Sequence, residues 1–173
     1  HAYRAYAAIE DLQAAAWRPW ADVPWPLRDG RMTLRTWPEA GTTDGTAGDP
    51  RMTLEAAIDG MDWTQTSATR FLAPRVRVYA QGPWSGWRAA AEDTPDTAAP
   101  LRVAVRTPGL ALRNPEWFQH PIALGRLEAD AWVRLGAAPS VDFDRLHWRN
   151  PDIDVVASGS WRAGGDAGRI DIQ

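Results

Sequence analysis

The alternation of apolar and polar positions is clearest between Arg126 and Ile172. In RLEADAWVRL, Leu127, Ala129, Ala131, Val133 and Leu135 alternate with Glu128, Asp130, Trp132 and Arg134. Successive side chains of a strand point to opposite faces, so this run predicts a strand with one apolar and one mostly polar face. Gly136–Pro139 breaks the pattern, and Ser140–Trp148 resumes it with Val141 and Phe143 against Asp142 and Asp144. After the Asn150-Pro151 turn signal, Ile153, Val155 and Ala157 stand opposite Asp154, Val156 and Ser158. Gly164-Gly165-Asp166 turns the chain once more, and Ile170 and Ile172 begin a last alternation. Short strands joined by tight connections predict an antiparallel meander, and its apolar face requires a cover: a sheet, a helix or a ligand.

Upstream, Gly30–Trp37 and Arg51–Met61 show the same period, the second with Met52, Leu54, Ala56 and Ile58 on one side. Pro38–Pro50 between them reads as a Gly/Thr/Asp loop. Phe71–Ala80 carries Val76 and Val78 against Arg75, Arg77 and Tyr79. Leu101–Thr107 carries Leu101, Val103 and Val105 against Arg102 and Arg106, and Leu110–Asn114 continues it past the Pro108-Gly109 bend. Gly82–Trp87 reads as a turn leading into a strand over Trp87–Ala91. Ala2–Trp17 alone has helical spacing, with Tyr6, Ile9, Leu12 or Gln13, and Ala16 on one stripe and Glu10 and Asp11 off it. Pro19 ends that helix, and Pro19–Pro26 is an extended lead-in rich in Pro and Trp. The fold class predicted is mainly β, a single unit over 1–173 with one N-terminal α-helix.

Composition narrows the function. A net charge of -3 argues against a nucleic-acid partner, which requires a basic face. All 19 basic residues are arginine, which is read as compositional drift. With no cysteine there is neither a disulfide framework nor thiol chemistry. No apolar run approaches the roughly 20 residues of a membrane-spanning helix.

Residues that could carry chemistry do not assemble into a set. His1, His120 and His147 show no metal-ligand spacing and are read as structural. Asp142 with Asp144, and Asp152 with Asp154, could supply the paired carboxylates of a glycoside hydrolase, but each pair falls on the polar side of an alternating strand, where solvated carboxylates are ordinary. No serine sits in a nucleophile elbow, and the glycine-rich run Gly164–Gly168 precedes a strand rather than a helix, so it is not a phosphate loop. No catalytic residue, metal or cofactor is assigned. Eleven tryptophans exceed what a core of this size requires. Trp84, Trp87, Trp117, Trp132, Trp148 and Trp161 could stack on sugar rings in a carbohydrate-binding β-sandwich, or pack the outer sheet surface or a subunit contact.

Four segments bear a resemblance. Gly30–Trp37 (GRMTLRTW) resembles the G-x-x-x-L-R-x-W strand of the large bacterial YhdP-like envelope proteins, relatives of AsmA and TamB. Pro121–Trp132 (PIALGRLEADAW) resembles their P-L-x-L-D-R-L-x-x-x-x-W segment, with Gly125 in place of the usual Asp. Arg149–Asp154 (RNPDID) resembles the strand with an Asn-x-Asp turn that follows, and Gly159–Ile172 (GSWRAGGDAGRIDI) the closing G-x-W/Y-R-x-G-G-x-x-G-x-I-D-L motif, interrupted by Arg169.

The resemblance implies an internal piece of a protein that is anchored in the inner membrane by a segment outside this chain. Such proteins cross the periplasm as stacked β repeats forming a curved, open trough or half-sandwich. Phospholipid acyl chains would move along its apolar inside, and flanking β repeats of the same chain would be its other partners. The lining then expected here is Leu127, Ala129, Ala131, Val133, Leu135, Val141, Phe143, Ile153, Val155, Ile170 and Ile172, with Met52, Leu54, Ile58, Val76, Val78, Leu101, Val103 and Val105. A closed sandwich core fits the same positions equally well.

Overall fold

The computed structural model describes residues 6–13, 16, 27–39, 42–43, 46–47, 49–65, 68–92, 99–136, 139–163 and 169–172. Nine strands form one antiparallel sheet in which every strand pairs with the next along the chain. They are β1 (Ala7–Gln13), β2 (Leu27–Glu39), β5 (Arg51–Thr64), β6 (Arg70–Pro83), β7 (Leu101–Arg113), β8 (Ile122–Arg134), β9 (Ser140–Arg149), β10 (Asp154–Arg162) and β11 (Arg169–Ile172). Two short strands, β3 (Thr42–Thr43) and β4 (Thr46–Ala47), pair as a small ladder within the expected loop 38–50. The large sheet is curved and unclosed, with β1 at one edge and β11 at the other.

Register gathers the apolar positions of successive strands onto one face. Met32 pairs with Ile58 and Ile58 with Val76; Leu34 pairs with Ala56 and Ala56 with Val78. Val78 pairs with Val105, Val105 with Ala129 and Ala129 with Leu146. Cross-strand apolar pairs of this kind are the unit from which a sheet draws its stability. The other face holds Arg35, Glu55, Asp59, Arg77, Arg106, Glu128 and Asp130 in the same register.

A line of irregular pairing crosses the middle of the sheet. Between β5 and β6 the ladder skips from Asp59–Arg75 to Met61–Ala73, at Gly60 and Pro74. Next to Pro74 lies Gly109, and the β7–β8 register shifts around it before resuming near Gly125. Proline cannot donate to a ladder, and glycine accommodates the bends, so these residues set the interruption. The expected bend at Pro108-Gly109 is thus an irregularity inside one long strand.

Two expectations are corrected. Ala7–Gln13, placed within a helix over 2–17, is an exposed edge strand. Its Ile9 pairs with Leu34 and Leu12 with Met32, so the apolar residues that give helical spacing also serve a strand, with a register shift between them. Residues 2–5, 14, 15 and 17 of that helix, the lead-in 19–26 and the turn 164–168 lie outside the described residues. Trp84–Glu92, expected as turn and strand, is a helix, α1. Its N-terminus is capped from a distant segment: the Trp84 N–H donates to the Pro50 carbonyl (2.7 Å) and the Ser85 N–H to the Asp49 carboxylate (3.0 Å). A hydrogen bond with the Ser85 side chain is the main reason the Asp49 carboxyl lies below its ordinary value, and the N–H groups of Ser85 and Trp84 add to it. A carboxylate at this position satisfies an orphan donor and complements the positive end of the helix.

Candidate functional site: an uncovered apolar face

The decisive feature of the apolar face is what it lacks. Among the described residues each strand packs substantially only on its neighbours in the sheet, and α1 adds a small contact at β6. No second sheet lies over either face among the described residues. Among the described residues the buried apolar ones are Leu27, Ala73, Val76, Ala80, Leu101, Ala131 and Ala157, four of the seven being alanine. A closed sandwich of this size would bury many large aliphatic and aromatic side chains. The closed-core alternative is therefore not the architecture of this chain.

The expected lining residues separate by how the register places them. Met52, Leu54 and Ile58 on β5, Val76 and Val78 on β6, and Leu101, Val103 and Val105 on β7 share the face. Leu127, Ala129, Ala131 and Val133 on β8 pair with β7, and Val141 and Phe143 on β9 continue the row. On β10, Val155 pairs with Trp148. The backbones of Ile170 and Ile172 pair with Gly159 and Ala157. Leu135 and Ile153 fall just outside β8 and β10, in connections, and Ile153 is exposed. Leu127, Val133 and Leu135 are all half-buried, so none is enclosed by another layer.

Simple alternation also fails within β9. Ala131 pairs with Phe143 but Asp130 with Arg145, leaving Asp144 as an extra residue; the shift recurs against β10, where Ala157 pairs with Leu146 and Gly159 with Phe143. The bulge resets the phase of the strand. Leu146 and Trp148 thereby join the apolar face, and Arg145 and His147 the charged one. Uninterrupted alternation would have exchanged them. Sequence reasoning missed Leu146 and Trp148 for this reason; Trp161, which pairs with Val141, carried the right phase and was left out of the lining. The Trp148 indole N–H donates to the Leu124 carbonyl, which satisfies its polar atom while its ring packs on this face.

The described tryptophans do not gather into one platform. Trp132 pairs with Arg102 and Asp142 on the charged face, whereas Trp148 and Trp161 lie on the apolar face. Trp117, the most exposed, stacks edge-on against Phe118 in the β7–β8 connection. Trp84 and Trp87 belong to α1.

The charged face is held by ion pairs that run between strands. Arg106 donates from Nη2 to both Asp130 oxygens at 2.7 Å and from Nη1 to the carbonyls of Ala129 (2.6 Å) and Val105 (2.9 Å). Arg75 pairs with Asp59 at 2.5 Å, and that hydrogen bond holds the Asp59 carboxyl below its usual value. His147 Nε2 lies 2.7 Å from Asp154 Oδ1, the leading cause of the lowered Asp154 carboxyl, with Arg149 a further favourable charge. Asp142 lies 3.5 Å from Arg134. The carboxylates that raised the hydrolase alternative thus sit among arginines and a histidine: Asp152 is exposed in the turn before β10, and Asp142 and Asp154 take part in ion pairs. No group of three or more His, Asp or Glu with a metal-holding arrangement occurs among the described residues.

No protein-family model, curated protein or solved structure matches this chain.

Proposed function

We propose that the chain is a lipid-binding or lipid-conducting segment of a periplasm-spanning envelope protein, moving phospholipid between the inner and outer membranes with its acyl chains on the apolar sheet face. It is not an enzyme and uses no cofactor. The observation that carries this reading is the continuous apolar face, from Met32 across to Trp161, that no second layer covers among the described residues. Apolar surface in water costs roughly 25 cal/mol per Å², and a large contiguous patch marks a place where something apolar belongs. A mobile acyl chain satisfies that requirement without needing directional contacts. The free edges β1 and β11 would continue into flanking β repeats of the same chain, and the inner-membrane anchor would lie outside this segment. The resemblance of Gly30–Trp37, Pro121–Trp132, Arg149–Asp154 and Gly159–Ile172 to the YhdP-like proteins points the same way.

Neighbouring positions on opposite faces supply the test. A photo-crosslinker at Val133 or Val155 in growing cells is expected to yield a lipid adduct, and one at Trp132 or Val156 on the charged face is not. Absence of adducts at all four positions, or equal yields from both faces, would defeat the proposal.

A further inference from the structure

The charged face contains an arrangement that ion pairing within the sheet leaves incomplete. Arg77 on β6 stands directly opposite Arg106 on β7. Like charges facing each other across an antiparallel pair are destabilising unless something neutralises them. The Arg106 guanidinium is fixed by Asp130 and two backbone carbonyls. Arg77 is exposed and forms no salt bridge among the described residues, though its charge reaches the Asp59 carboxylate that Arg75 already holds. Both arginines line a depression of about 630 Å³ together with Arg75 and Arg126, against the single carboxylate of Glu128. The nearby acids are already engaged, Asp59 by Arg75, Asp130 by Arg106 and Glu128 by Arg126. Glu55 lines the adjoining depression on the other side of Arg77 and Arg106, and it pairs across the strands with Tyr79 and Arg35.

We propose that Arg77 and Arg106, flanked by Arg75 and Arg126, form a binding site for a phosphate-type oxyanion on the face opposite the apolar one. The planar guanidinium fork matches phosphate oxygens in pairs, and Arg106 is held in place before any ligand arrives. An anion between Arg77 and Arg106 would turn a repulsive cross-strand pair into a bridged one. The phosphate could belong to a lipid headgroup or be free in solution. The site does not depend on what occupies the apolar face.

Calorimetric titration of the 173-residue chain with inorganic phosphate at fixed ionic strength tests the assignment. Saturable one-to-one binding is expected. Arg77→Gln should weaken it about tenfold, Arg77→Lys should weaken it less, and Arg113→Gln, at the far end of β7, should leave it unchanged. Arg77 is exposed, so its replacement should leave the circular dichroism of the sheet intact; Arg126→Gln is a second variant in the same depression. A second arm uses phosphatidylglycerol vesicles. Vesicle binding that phosphate competes away and Arg77→Gln weakens assigns the headgroup as the source, and phosphate binding without vesicle binding assigns free phosphate. Either supports the site. It is overturned if phosphate does not saturate, if Arg113→Gln weakens binding as much as Arg77→Gln, or if vesicles bind regardless of phosphate and of Arg77.

Discussion

Close approach decides which residues tolerate change. Gly125 has φ +88°, and a Cβ there would lie 2.3 Å from the Arg149 carbonyl oxygen, so both conformation and space require glycine. At Gly86 the chain conformation is ordinary, but a Cβ would meet the Ala99 carbonyl oxygen at 2.4 Å and the Leu101 side chain at 2.9 Å. We expect Gly86→Ala to destabilise by about 1–3 kcal/mol through overpacking, read as a shift of the urea midpoint. An unchanged midpoint would mean that α1 can move off Leu101 freely. The pair His147–Asp154 gives a prediction in pH. The folded Asp154 carboxyl is depressed below 3.8, so whatever stability it contributes is present above that value and is lost as pH falls through the lower folded one. Carbon-detected NMR titration should find Asp154 protonating below the ordinary range, and His147→Phe should raise it. A titration indifferent to that substitution would show that the contact does not form.

The helix α1 depends on a cap brought from elsewhere. The helix α1 has no acidic residue in its first turn, and Asp49, arriving from the segment before β5, supplies the missing negative charge. Asp49→Ala should cost about 1 kcal/mol, typical for loss of an N-cap side chain, and Asp49→Asn should recover most of it. Measured by chemical denaturation, an Asn variant as unstable as Ala would assign the effect to charge alone. The strands are read more easily than this helix because their period is written in each of them separately. Glycine, tryptophan and a preceding proline in Trp84–Glu92 give no helical signal that competes with a turn reading. The bulge at Asp144 is silent for a related reason: an extra residue in a strand looks, in one dimension, like continued alternation.

A sheet with one open side responds to a buried charge according to where it lies. Leu101 and Val133 pair directly across β7 and β8, yet Leu101 is 2% exposed, closed in by Gly82 and Gly86, while Val133 is only half-buried. Leu101→Asp should cost several kcal/mol and unfold the chain, because the carboxylate can neither hydrate nor pair. Val133→Asp, on the open part of the same face, should leave abundance and protease resistance near normal. In cells it should reduce lipid crosslinking beyond the site, since acyl chains would have to pass a hydrated carboxylate. Equal loss of folded protein in both variants would mean that a cover closes over Val133.

The positions of the strands and the identity of their apolar faces are determined locally. A side-chain period of two is a property of each extended segment by itself, so β2, β5 to β10 and most of the lining could be read from the chain alone. The turn at Asn150-Pro151 was legible too, since Asn and Pro impose their own dihedral preferences. Tertiary structure decided the rest. Whether an apolar face meets another layer depends on how the whole sheet curves and where it stops, which no single strand encodes; hence open trough and closed sandwich were indistinguishable before the strands were assembled. Pairing with β2 makes a strand of Ala7–Gln13 because backbone donors satisfied by a neighbour outweigh a modest local preference for helix. The facing of Arg77 and Arg106 likewise exists only once β6 and β7 are in register, because strand pairing, not chain proximity, brings those two charges together.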